Sequence, residues 1–132
     1  MSKAEMQRQF DYAVRQIVKQ GCPAYRPKNG CCYRMKQRDT TLKCVVGWLI
    51  PDAYFIKYPE HIDNTEVECL DPSVYSYSRM KPFAGNRSIL ESLQLAHDVT
   101  AERVGSGSAF VASFLLNARD VAQTHGLKWN FK

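Results

Sequence analysis

No apolar run in this chain is longer than the seven residues Cys44-Val45-Val46-Gly47-Trp48-Leu49-Ile50. That falls well short of the ~20 that a membrane-spanning helix requires, so a spanning helix is excluded. Close cysteine pairs of the C-x2-C kind, which set tetrahedral zinc geometry within one turn, are missing too. Cys22, Cys31, Cys32, Cys44 and Cys69, with His61, His97 and His125, are spaced too unevenly for that role. No metal and no cofactor are therefore expected. An odd number of cysteines is no disulfide framework, and the thiols read as small hydrophobes in a reducing compartment. The polar stretch Met1-Ser2-Lys3-Ala4-Glu5-Met6 lacks the apolar segment of an export signal, which makes the expected location cytoplasmic. Repeats and low-complexity tracts are absent, so a single compact domain over 1–132 is the expectation. The glycine pair in Gly105-Ser106-Gly107-Ser108 has neither a preceding apolar strand nor a following Lys-Ser/Thr, and reads as a helix connector rather than a phosphate loop.

What is present suits a folded module. The 132 residues are 45% hydrophobic, 11% aromatic and 23% charged, enough for one core without staples. The net charge of +5 attracts polyanions without proving that they bind. Its distribution is uneven: residues 1–44 carry ten Lys/Arg against three acids, whereas residues 45–78 carry Lys57 alone against Asp52, Glu60, Asp63, Glu66, Glu68 and Asp71. Two readings follow: the basic third and the acidic middle hold each other, or the basic surface faces a partner.

The periodicity predicts an α+β fold that is mainly helical. Ser2 and Glu5 form a capping box, after which Met6, Phe10, Ala13, Val14, Ile17 and Val18 recur at helical spacing until Gly21-Cys22-Pro23, giving a helix at about 3–20. Asn86 or Ser88 caps a second helix at about 88–104, and Ser108 a third at about 108–125, closed by Gly126. The short link between them predicts an antiparallel helical pair. A small β-hairpin is expected at about 31–45, from Cys31–Met35 and Thr41–Val45 on either side of Lys36–Thr40. Pro51-Asp52 opens a short helix, and an irregular aromatic segment runs through Tyr75, Tyr77 and Phe83.

The most functional-looking stretch interleaves aromatics and cations: Tyr25, Arg26, Lys28, Tyr33, Arg34, Lys36 and Arg38. Cations that follow a phosphate backbone and rings that stack on bases are the chemistry of nucleic-acid binding, but no recognition helix, finger or barrel signature accompanies them. The same residues suit an acidic groove on a protein, with Tyr25 or Tyr33 as rigid anchors. A third class, a small cysteine/histidine enzyme, would draw on Cys31 or Cys32 with His97 and Asp98, because a thiolate needs a cation or imidazole nearby. Adjacent cysteines on a strand point to opposite faces, so only one of them can join such a site. His97 and Asp98 are helix neighbours and are not expected to face each other.

Cys32-Tyr33-Arg34 followed by Leu42-Lys43-Cys44-Val45-Val46-Gly47-Trp48-Leu49-Ile50-Pro51-Asp52, then Leu93-Gln94-Leu95-Ala96-His97-Asp98 and a closing His125-Gly126-Leu127, resembles a pattern in small phage and prophage proteins with no established activity. The chain departs from it at Asp39-Thr40-Thr41, where a glycine is usual, and in the aromatic insert around Pro72 to Pro82. The resemblance implies an accessory protein that binds and inhibits or redirects a host protein or defence complex through the basic loop and hairpin. Nucleic acid is the alternative partner, membranes are not expected, and the oligomeric state is left open.

Overall fold

The computed structural model of the chain describes residues 3–26, 30–63 and 65–131. Ser2, Lys28 and Asn29, which the sequence placed in a capping box, the basic patch and a turn, lie outside them. Helix α1 (Lys3–Gln20) buries Phe10, Ala13, Val14 and Ile17, the i, i+3, i+4, i+7 stripe that the spacing predicts. It packs against the last helix and against the turns at Gly47–Leu49 and Lys81–Phe83. Helices α3 (Arg87–Val104) and α4 (Ser108–Thr124) form the expected antiparallel pair. Gly105 and Gly107 both take φ above +80° in their link, where a side chain would be strained. The Ser108 hydroxyl does not cap α4, because Gly107 holds the cap position and Ser108 is the first helical residue. Thr100 Oγ1 donates to Ala96 O at 2.7 Å and accepts from Asn117 Nδ2 at 2.9 Å, which pins the pair together through a buried hydroxyl.

The β-structure is smaller and more divided than a hairpin spanning 31–45. Strands β1 (Tyr25–Arg26) and β2 (Gly30–Cys31) pair with Tyr25 opposite Cys31, while β3 (Met35–Gln37) and β4 (Thr40–Leu42) make a second antiparallel pair with Met35 opposite Leu42. Arg38, at φ +57°, turns the second pair. Cys32 leaves the hairpin to bridge Asp63, and Tyr33 N–H donates to Ile62 O at 2.7 Å. Ile62 and Asp63 are thereby tied to the stretch between β2 and β3.

Cys44, Val45, Val46, Leu49 and Ile50 are buried, as expected of the apolar run, and they turn through a 3-10 helix at Gly47–Leu49 rather than extend. Helix α2 (Asp52–Lys57) follows, with Pro51 in the cap position. The aromatic segment resolves into 3-10 turns at Pro72–Ser76 and Lys81–Phe83, and it is core: Val74, Met80 and Phe83 are fully buried, and Tyr75 nearly so. Trp129 and Phe131 fold back onto the body, their rings 5.1 Å apart.

Candidate functional site

The basic stretch is partly consumed by the acidic middle of the chain. Arg26 pairs with Asp63 at 3.5 Å and Arg34 with Asp52 at 3.1 Å, with the Arg34 guanidinium 5.7 Å over the Phe55 ring. The two readings of the charge pattern therefore divide by residue. Lys36 and Arg38, on the exposed rim of the β3–β4 hairpin, have no ion pair among the described residues, and Asp39 follows Arg38 in the same turn. Tyr33 corrects the sequence reading, since it is fully buried and cannot serve as a surface anchor. Its hydroxyl donates to Thr65 O at 2.6 Å, and its ring lies 6.0 Å from Phe55.

Tyr25 stays half-buried and lines an open groove of about 660 Å³ with Met35, Gln37, Leu42, Glu102 and Ser106. Burial, then the carboxylates of Glu102 and Asp98, push its phenol above the ordinary range. One wall of the groove is thus acidic, while its β3 wall leads onto Lys36 and Arg38. Glu102 was not singled out by sequence, because a charged residue near a helix end reads as solvated surface.

Behind this groove lies a polar cluster built on α3. His97 is fully buried, its Nδ1 is 2.8 Å from Asp98 Oδ1, and its Nε2 accepts from Ala24 N–H at 3.4 Å. A backbone amide can only donate, so Nε2 is the bare nitrogen and the hydrogen sits on Nδ1, facing Asp98. Gln94 completes the cluster: its Oε1 accepts from Val46 N–H at 3.2 Å, and its Nε2 donates to Asp98 Oδ1 at 3.0 Å and to Cys31 Sγ at 2.9 Å. Cys44 Sγ accepts from Gly47 N–H at 3.3 Å and closes on Cys31.

Of the two adjacent cysteines, Cys31 is the one that joins His97 and Asp98, through Gln94. Cys32 is buried on the other side, near Asp63, and no contact links it to His97 or Asp98 among the described residues. The Cys32, His97, Asp98 set drawn from sequence is therefore not assembled. Neither thiol is poised as a nucleophile. The hydrogen bond with Cys44, then burial, drives the Cys31 thiol far up, and burial followed by the Asp63 carboxylate pushes Cys32 up to about 12. With every donor of Gln94 engaged, the cluster ties β2, the 44–47 turn and α3 together. Gln94, Cys31 and Cys44 were missed as a group, although Gln94 and Asp98 stand at i and i+4.

No group of three or more His, Cys, Asp or Glu side chains among the described residues is arranged to hold a metal ion, and none of the described helices is long and apolar enough to cross a membrane. Compared with known proteins, the chain matches no family model, no curated protein and no solved structure.

Proposed function

We propose that the chain is an accessory protein of phage type that binds a host protein or defence complex in the host cytoplasm, docking through the β3–β4 hairpin and the groove beside it. The observation that carries this reading is the exposed rim from Lys36 to Thr41, whose two cations have no ion pair among the described residues, standing next to an open groove of about 660 Å³. Groove and rim together offer aromatic, apolar and charged contacts, the mixture that protein interfaces use. A protein partner is favoured over nucleic acid on charge. Arg26 and Arg34 are neutralised within the chain, Tyr33 is unavailable for stacking, and Glu102 on the groove wall repels phosphate.

The test is affinity capture from bacterial lysate with the wild-type chain and a Lys36→Glu/Arg38→Glu variant, with and without nuclease and at low and high salt. The expected result is one stoichiometric protein that survives nuclease and is lost with the double variant, because reversing rim charges repels an acidic partner. Recovery of nucleic acid alone, released by rising salt, overturns the reading in favour of the nucleic-acid alternative.

A further inference from the structure

A second cleft, of about 330 Å³, opens where α1 meets the apolar run and the aromatic segment; its walls include Tyr12, Lys43, Trp48, Pro51, Tyr77 and Arg79. Its size is at the low end of the roughly 300–1,000 Å³ of small-molecule sites. Two features distinguish it from the groove beside the hairpin.

The first is surplus positive charge. Lys43 Nζ lies 3.7 Å from Asp52 Oδ1, but the same oxygen already takes Arg34 at 3.1 Å, so one carboxylate is shared between two cations. Arg79 is stacked 3.7 Å over the Tyr12 ring and donates from one nitrogen to Gln9 Oε1 at 3.0 Å, a neutral partner. It has no carboxylate partner among the described residues.

The second is uncommitted hydrogen-bonding and stacking capacity. The hydroxyls of Tyr12 and Tyr77, two residues of the cleft wall, make no hydrogen bond among the described residues. Tyr12 holds one face of the Arg79 guanidinium, which leaves the other face of that planar cation for a second flat group. Lys43 Nζ stands 5.0 Å over the Trp48 ring, which places the ammonium at the aromatic wall.

A ligand that answers both features carries an anion for Lys43 and a planar ring for Arg79 and Tyr77. We propose that this cleft binds a nucleoside monophosphate, with the phosphate at Lys43 and the base stacked between the Arg79 guanidinium and Tyr77. Stacking on aromatic and guanidinium planes is tolerant of base identity, and a single close cation suits one phosphate group. This site is independent of the hairpin surface, and neither Lys36 nor Arg38 contributes to it.

Isothermal titration calorimetry of the full chain with AMP, adenosine and inorganic phosphate tests the assignment. AMP is expected to bind one to one, with adenosine and phosphate each at least about tenfold weaker, as the loss of a charge-assisted contact or of the stack implies. Lys43→Gln should erase the preference for AMP over adenosine, while Arg79→Gln should weaken both ligands. A merely structural role for Lys43 would not move that ratio. AMP binding no tighter than adenosine or phosphate overturns the proposal, as does an unchanged AMP preference in Lys43→Gln. Should either variant fail to fold, Trp48 emission in a Trp129→Phe chain decides: AMP must change it with a saturable midpoint, and an AMP-insensitive signal overturns the proposal.

Discussion

The imidazole of His97 and the carboxylate of Asp98 are joined at 2.8 Å although the two residues are adjacent on α3. Successive helical side chains normally diverge by about 100°, so the contact is closed by what surrounds it. Ala24 N–H fixes the imidazole from one side, and Gln94 Nε2 holds the same carboxylate oxygen at 3.0 Å from the other. Asp98 retains partial exposure, with 28% of its side-chain surface open, whereas His97 has none.

That asymmetry sets the first prediction. His97→Ala empties a fully buried site and leaves Ala24 N–H without an acceptor, so it should destabilise by about 2 to 4 kcal/mol. Asp98→Asn keeps an acceptor oxygen at the same place and should cost no more than about 1 kcal/mol. Urea unfolding of both variants measures the gap, and equal losses would show that His97 contributes no more than its neighbour.

The helices were legible in the sequence because their signals are local and repeated: apolar residues at helical spacing and glycines at the stops gave α1, α3 and α4 almost to the residue. The 3-10 turns between Gly47 and Phe83 were not, because such short turns have no period to read, although Pro51-Asp52 did mark the start of α2. Tyr33 shows the corresponding limit at the site. Alternation places Tyr33 and Cys31 on one face of an extended segment and Cys32 on the other, but the letters do not say which face meets the core. The answer lies in distant partners, Thr65 O for Tyr33 and Gln94 for Cys31.

Gly47 gives the second prediction. A Cβ built there would lie 2.2 Å from Tyr33 O and 3.0 Å from Tyr33 C, both backbone atoms with no side-chain freedom to move aside. Gly47→Ala should therefore separate the 44–49 turn from the Tyr33 backbone and cost about 3 kcal/mol or more. Thermal unfolding by circular dichroism checks it; a midpoint within a degree or two of wild type would mean that this close approach is not needed.

The third prediction concerns pH. Asp71 caps the Pro72–Ser76 turn, with Oδ1 accepting from Ser73 N–H at 2.9 Å, and the Ser73 hydrogen bonds hold its carboxyl below the ordinary 3.8. A carboxyl whose folded value is depressed stabilises the fold above its unfolded value, and the contribution disappears as pH falls through the folded one. Asp71→Asn retains a capping oxygen but not the charge. Its melting temperature should fall below that of wild type at neutral pH, and the difference should close below pH 3.8. A difference that is constant across that range would place the effect in shape rather than in charge.

The last prediction weighs the enzyme reading against the binding reading through the thiols. Alkylation requires the thiolate, so a raised pKa and burial act in the same direction and slow it. Cys69 is exposed, Cys22 is half-buried with its thiol pushed up by burial, and Cys31, Cys32 and Cys44 are closed in by the Gln94 cluster and the bridge to Asp63. Iodoacetamide at neutral pH, followed by peptide mass spectrometry, should modify Cys69 first and Cys22 next, leaving the other three until the chain unfolds. A catalytic thiol would break this order, because a nucleophile activated by His97 reacts ahead of an ordinary exposed cysteine. Modification of Cys31 or Cys32 faster than Cys69 in the folded chain would therefore restore the enzyme reading. The expected order leaves His97, Asp98 and Gln94 as the struts that hold the groove wall in place beside the hairpin.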